Sequence, residues 1–313
     1  MEKEEGGSEI RQWDELIPDA LGLIFKKLSL EDILTVIPRV CKAWGKAAQG
    51  PYCWQEIDLD EWSTDCQPDK LDRMLRLLIT RSSGSLRKLH VSCVNNDQIF
   101  EFIAENAGSL QSLMLRRSEI SDSVVEQLAG KFSKVTSLDL SYCCRISTKA
   151  LEAIGKNCKL LSSLSWNMHP LASAYKPSHV DEARAIAQTM PKLKQLELAY
   201  LRINKEIVLD ILSSCPELEF LDLRGCWDVH LDKKALEKRY PKLVVLGPHV
   251  VMGVFEKRAF FDDYYSDSDF SDYGYMDYSD DESFDGMWDD EDLEFRVYEG
   301  ADNMYEFGWP PSP

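Results

Sequence analysis

Leu110-Gln111-Ser112-Leu113-Met114-Leu115 and, further on, Val135-Thr136-Ser137-Leu138-Asp139-Leu140 spell one pattern, L-x-x-L-x-L, and it decides the fold. The pattern returns as Leu86/Leu89/Val91, Leu161/Leu164/Trp166, Leu193/Leu196/Leu198 and Leu218/Leu221/Leu223, and ends on a truncated Leu243/Leu246. From Leu86 to Leu243 the first positions keep a nearly constant stride, lengthened only between Leu161 and Leu193. Trp54/Ile57/Leu59 precedes Leu86 by that same longer stride, which places one more strand in register ahead of the array. Such a period marks a solenoid of stacked strand–helix units. One strand and one helix cannot bury their apolar edge alone, whereas stacked neighbours make a continuous core. A helix start follows each strand, at Asn96/Asp97, Ser121/Asp122, Ser147/Thr148, His179/Asp181 and Asn204. Between Trp54 and the first full repeat the apolar spacing predicts a helix from about Asp69 to Thr80.

The units resemble the cysteine-containing class of leucine-rich repeats. Leu140-x-x-Cys143-x-x-Ile146 and Leu223-x-x-Cys226-x-x-Val229 carry a cysteine at the turn after the strand, and Ser118 stands in for it elsewhere. Cys158 and Cys215 close their helices. The nine cysteines are odd in number and form no C-x-x-C pair, so reduced core thiols are the expectation, not a metal site. The fourth unit departs: Trp166 replaces leucine, and Asn167–Pro177 is an insertion of the kind that emerges on a binding face or is simply a tolerated loop.

Ahead of the repeats, Leu21, Ile24, Phe25 and Leu28 make one apolar stripe at helical spacing, with Pro18 suited to the first turn. Ser29 and Asp32 read as a capping-box start for a second helix that Pro38 closes. A third helix, Arg39 to Ala48, is expected to carry Val40, Cys41, Trp44 and Ala47 on one side. An N-terminal helical cap on the solenoid is one reading of this periodicity.

The residue string adds another. Leu16, Asp19, Leu21, Ile24, Phe25, Leu28, Asp32, Val40-Cys41-Lys42, Trp44, Pro51 and Trp54 match the F-box pattern, which docks a receptor onto the Skp adaptor of a cullin-based ubiquitin ligase. Ile17 stands at the family's proline position, with the proline moved to Pro18; Asp19 replaces Glu and Ala20 replaces Ile. Over about residues 13–246 the chain resembles plant F-box/leucine-rich-repeat receptors of the Skp-interacting group. The resemblance implies an α/β chain with a three-helix F-box (13–55) and a short horseshoe of repeats (56–250). It also implies a non-catalytic substrate receptor whose partners are a Skp-family adaptor, through it a cullin, and a protein target. It implies adaptor contacts at Leu16, Ile17, Pro18, Leu21, Ile24, Phe25, Leu28 and Val40, with Trp44 in support. Two other readings stay open: a repeat scaffold or inhibitor without a ligase, and a small-molecule receptor, for which the strand-face bases are few.

Charge divides the chain. Of 54 acids and 36 bases, 18 and one fall from Ala259 onward, which leaves 36 and 35 in the body. No basic patch points to nucleic acid. No segment is long and apolar enough to span a bilayer, and the acidic start lacks the chemistry of an export signal. A nuclear or cytoplasmic protein is therefore expected. Residues 1–12 and 259–313 read as disordered, the latter an acidic, aromatic tail that solubilises or docks a basic partner. Ser266 and Ser279, each with an acid three residues on, suit acidophilic kinases.

No glycine-rich phosphate loop, G-x-S-x-G or metal-spaced histidine pair is present, and no cofactor is expected. Because strand side chains alternate, residues between the leucines face outward. The first outward row is His90, Met114, Asp139, Ser165, Glu197 and Asp222. Two positions on come Arg116, Asn167 and Arg224, and one further Arg117, Tyr142, Met168 and Tyr200. These rows, with the insertion, are the expected target surface: a polar protein surface or extended peptide centred on Tyr142, Met168 and Tyr200.

Overall fold

A computed structural model describes residues 13, 16–169, 178–226 and 228–248; the acidic tail and most of the Asn167–Pro177 insertion lie outside them. Ile17 is extended and Pro18 opens α1 (Pro18–Phe25), which buries Leu21, Gly22 and Phe25. Ser29 and Asp32 cap each other as expected: Asp32 N–H donates to Ser29 Oγ at 3.1 Å, and Ser29 Oγ–H to Asp32 Oδ2 at 2.8 Å. The second helix differs from expectation. Asp32–Val36 is a π-helical turn that runs on into α2 (Ile37–Val40). Pro38 lies in the first turn of α2 and so does not close the preceding helix. The wide turn lets Ile37 N–H reach Asp32 O, just ahead of a residue that has no N–H to donate.

The single helix expected over Arg39–Ala48 is broken. Cys41 is extended (φ −160°, ψ 167°), and α3 runs from Lys42 to Gln49, burying Ala47 and Ala48. Val40 is consequently turned outward, and Trp44 is only half-buried. A 3₁₀ turn, Pro51–Trp54, leads straight into the sheet. Gly22 lets α1 approach this turn, because a Cβ there would stand 2.5 Å from Tyr52 Cβ. Trp54 is buried, donates from Nε1 to Ala48 O at 2.8 Å and lies under the Arg81 guanidinium at 5.7 Å.

Eight parallel strands form one sheet in chain order: β1 (Glu56–Asp58), β2 (Lys88–Ser92), β3 (Ser112–Arg116), β4 (Ser137–Asp139), β5 (Ser163–Ser165), β6 (Gln195–Glu197), β7 (Phe220–Asp222) and β8 (Val244–Leu246). Register follows the leucine pattern: Ile57, Leu89, Leu113, Leu138, Leu164, Leu196, Leu221 and Val245 are successive partners. The strand begun after Trp54 is therefore in step with the rest, although Trp54 itself belongs to the 3₁₀ turn.

Helices lie between strands: α4 (Asp60–Thr64), α5 (Pro68–Arg81), α6 (Asp97–Glu105), α7 (Asp122–Leu128), α8 (Thr148–Asn157), α9 (Val180–Thr189), α10 (Lys205–Ser214) and α11 (Lys233–Arg239). Asn96, Ser121 and Asn204 cap α6, α7 and α10 through their side chains, as the helix-start reading requires. Repeats are also tied side by side. Asp97 accepts from Ser121 N–H at 2.8 Å, and Asp122 accepts from Ser147 N–H at 2.7 Å and from its hydroxyl. Gly155 is where α8 meets α9, since a Cβ there would lie 2.5 Å from Thr189 Cβ.

The cysteines are packing residues. Cys143 and Cys226 are wholly buried and turn their thiols to Leu115 O at 2.9 Å and Leu198 O at 3.1 Å in the neighbouring repeat. Ser118, 2% exposed, fills the same place and accepts from Val94 N–H. Burial raises Cys143 and Cys226 to about 12 and Cys158 and Cys215 to about 11. These are inert thiols.

Candidate interaction surfaces

Two surfaces collect the residues singled out by sequence. On the N-terminal helices, Ile17 (65% exposed), Ile24 (43%), Leu28 (40%) and Leu16 (37%) open to solvent with Val40. Pro18 is exposed beside them. Leu21 and Phe25 do not share this surface: each is 1% exposed. Helical spacing put both on the docking stripe, but in a two-turn helix a stripe of four residues spans the inner face as well. Phe25 instead meets the Trp44 ring at 5.2 Å, and Trp44 Nε1 donates to Trp13 O at 3.3 Å. Leu23 and Val36, not singled out by the sequence, are also open. Their signal was available, since Leu23 falls off the buried positions of α1. These exposed apolar side chains make up the candidate docking surface.

The second surface lies along the strands. Its acids are already satisfied. Asp139 and Asp222, expected as target contacts, are buried. Arg116 Nε donates to Asp139 Oδ2 at 2.7 Å, and Arg224 Nη2 donates to Asp222 Oδ2 at 2.6 Å. Burial alone would lower Arg116, but Asp139 and Asp60 outweigh it and the net shift is upward. Arg224 is raised first by its bond to Asp222. Asp60 accepts from the Ser92 hydroxyl and lies 3.5 Å from Arg116 Nη1. Asn167 Nδ2 donates to Ser141 Oγ and to Glu197 Oε2, both at 3.1 Å, and its Oδ1 accepts from Ala199 N–H at 2.8 Å. The acid row is thus a polar ladder that ties repeats together, not a free anionic strip. His90 lies 3.3 Å from Asp58 Oδ2; burial and Lys88 lower its pKa against the pull of Asp58. Met114 is half-buried on the same row.

Beyond the strand ends the outward column is Arg117, Tyr142 and Tyr200. Met168, expected among them, is 4% exposed. The reason is backbone geometry. Cys93, Arg117, Tyr142 and Tyr200 all have left-handed φ, between 51° and 66°, and Gly225 shares it at 75°; Met168 does not. Without that turn its side chain enters the core, although its N–H still bonds Ala199 O at 3.0 Å. Burial raises both tyrosine phenols. Insertion residues 170–177, part of the expected target surface, lie outside the described residues. Among the described residues no His/Cys/Asp/Glu group could hold a metal ion, and no helix is long and apolar enough to cross a membrane.

An eight-stranded parallel repeat sheet, preceded without a linker by short helices with exposed apolar side chains, defines a repeat protein of the leucine-rich kind. No family model matches the chain. Curated relatives do. F-box protein FBW2 of Arabidopsis thaliana is 52% identical over 316 residues, covering 97% of this chain and 98% of that protein. F-box protein SKIP19 of the same plant is 30% identical over 90% of each chain. A third, described as F-box/LRR-repeat protein 23, is 32% identical over 71% of this chain and 50% of its own. The chain belongs to the F-box protein family, among plant F-box/leucine-rich-repeat members. A solved chain of the yeast Rad7 and Elc1 complex overlays 56% of this chain and 44% of its own at a TM-score of 0.42 and 19% identity.

Proposed function

We propose that the chain is the target-selecting, non-catalytic subunit of a Skp–cullin–F-box ubiquitin ligase, acting in the nucleus or cytoplasm. Residues 13–55 are the three-helix docking box, 56–250 the leucine-rich-repeat horseshoe that holds a protein target, and 259–313 the acidic, aromatic tail. The observation that carries this is the exposed group Leu16, Ile17, Ile24, Leu28 and Val40 on the segment that matches the F-box string. Family membership supports it. The receptor performs no bond chemistry; it raises the local concentration of its target beside the ubiquitin-conjugating enzyme, with the cullin reached through the adaptor.

The test is affinity purification of the full chain, and of a chain lacking residues 13–55, under proteasome inhibition. Skp-family adaptor and cullin should come down with the full chain only. Target proteins should come down with both and accumulate when the box is absent. Recovery of targets with no adaptor on the full chain would favour the scaffold or inhibitor reading.

A further inference from the structure

The repeat array ends on an open unit. Tyr240 N–H bonds Leu236 O and Leu243 N–H bonds Tyr240 O, just as Cys215 N–H bonds Ile211 O and Leu218 N–H bonds Cys215 O one repeat earlier. Val245 pairs with Leu221. Leu236, Tyr240, Leu243 and Val245 are therefore the counterparts of Ile211, Cys215, Leu218 and Leu221. The earlier four, with another repeat after them, are no more than 8% exposed. The later four are only half-buried, and with Leu231 they line a groove of about 250 Å³. On the other face of β8, Val244 is 54% exposed and Leu246 36%. Among the described residues no further element covers this end, although a stack of repeats needs a closing layer over its last apolar face.

The main chain at this edge is open as well. Val244 N–H donates to Glu219 O at 2.8 Å, and Leu246 O accepts from Leu223 N–H at 2.8 Å, so the main chains of Val244 and Leu246 face β7. Alternation along a parallel ladder then turns the N–H and C=O of Val245 to the open side. One strand earlier, Phe220 N–H bonds Lys194 O and Asp222 O accepts from Leu198 N–H, which leaves Leu221 to bond β8 in the same way. β8 itself carries no charged residue that would repel an added strand. The surroundings are basic in a body whose charges otherwise balance. Lys234, Lys238, Arg239 and Lys242 are exposed and make no ion pair among the described residues. The acids among them are Asp232, which caps α11, and Glu237. Arg239 lies 5.4 Å from the Tyr240 ring, at the rim of the groove.

We propose that β8 is a docking edge to which an extended, acidic segment of target adds as a ninth strand. The segment bonds the Val245 main chain, seats one apolar side chain in the groove and sets its flanking acids against Lys234, Lys238, Arg239 and Lys242. This rests on the target-receptor reading above. A second copy of the chain is the poorer occupant, because pairing through β8 would bring the bases around α11 toward their own kind.

The probe is a library of labelled dodecapeptides that alternate apolar and polar residues at the centre and end in glutamate, serine or lysine. Each is titrated by fluorescence anisotropy into the full chain co-expressed with a Skp-family adaptor. Glutamate-ended peptides should bind about tenfold more tightly than lysine-ended ones, the ratio one charge-assisted hydrogen bond supplies. N-methylating alternate peptide amides should abolish binding in one phase of the alternation and spare it in the other, as an added strand requires. Val245→Pro, a change that an edge strand tolerates, should weaken binding about tenfold at little changed melting temperature. Lys238→Glu with Arg239→Glu should erase the preference for glutamate ends. Where Val245→Pro unfolds the chain, the N-methyl peptides still decide. No binding by the wild type, as when a second copy or another part of the chain already fills the edge, overturns the proposal. Equal losses in both N-methyl phases overturn it too. Adaptor binding is measured on the same preparations. Peptide held without adaptor would sink the ligase reading and support the docking edge, and adaptor held without peptide would do the reverse.

Discussion

Replacing Ile17 and Ile24 by alanine tests whether the exposed apolar group is the adaptor surface. Ile17 is 65% exposed and Ile24 43%, together about the area of one whole isoleucine. Burying one isoleucine side chain is worth about 1.5–3 kcal/mol. At 1.4 kcal/mol per factor of ten, the double variant should bind a Skp-family adaptor about tenfold to a hundredfold more weakly. Ile17 is mostly exposed and Ile24 only partly covered, so stability should change by less than about 1 kcal/mol. Phe25→Ala is the contrast. That ring is 1% exposed and lies 5.2 Å from Trp44, so its removal should cost about 3–5 kcal/mol of folding stability. Titration calorimetry with purified adaptor, run beside a melt of each variant, separates the two. Wild-type affinity in the double variant would refute the assignment. So would an affinity loss that appears only in step with a fallen melting temperature.

Gly155→Ala should destabilise the repeats by about 1–3 kcal/mol, because the new methyl meets Thr189 where α8 crosses α9, and Thr189→Ala in the same chain should restore part of the loss in a urea melt. Gly225→Ala should lower the melting temperature and displace the Tyr200 ring, which it would strike, while adaptor affinity stays at wild type. The thiols set an alkaline limit. Cys143 and Cys226 are raised to about 12, and Cys53, Cys158 and Cys215 to about 11, whereas unfolded thiols ionise near about 8.5. Because the folded pKa is the higher one, this stability is complete below the unfolded value and drains away as pH climbs toward the folded one. Cys143→Ser, which copies the natural Ser118, should therefore flatten the fall in stability between about pH 9 and 11; parallel curves for variant and wild type would exclude the thiol as the cause.

The sheet was legible because its signal is a period. Side-chain alternation and a nearly constant repeat length leave one register, and Ile57, Leu89, Leu113 and Leu138 fall opposite one another as the spacing requires. Caps were legible because Asn96, Ser121 and Asn204 act within three residues of sequence. Contacts between repeats were not. Nothing local says that Arg116 will neutralise Asp139, in the next repeat; Asp222 under Arg224, two residues on, is a contact within one repeat that alternation alone does not show. The outward rows therefore hold fewer free acids than their composition suggests, since Asp139 and Asp222 are buried. Backbone sign was equally hidden: Tyr142 and Met168 occupy the same column, and only the left-handed turn at Tyr142 brings its ring outward. In the N-terminal helices, the extended Cys41 and the π turn before Pro38 decide which apolar residues face out, and neither follows from spacing.

Docking surface and strand face are not separate bodies joined by a linker. Leu59 N–H bonds His90 O at 2.8 Å and Arg87 N–H bonds Gln55 O at 2.7 Å, one residue after the 3₁₀ turn that carries Trp54. That indole is held from the other side by Ala48 O, the end of the last N-terminal helix. Gly22 against Tyr52 fixes α1 to the same turn. On the receptor reading, a target seated on the strand face is therefore held at one angle to the adaptor, so that geometry as well as affinity limits which of its lysines can be reached. Loosening this junction should consequently change where a bound target is modified before it changes whether the target binds.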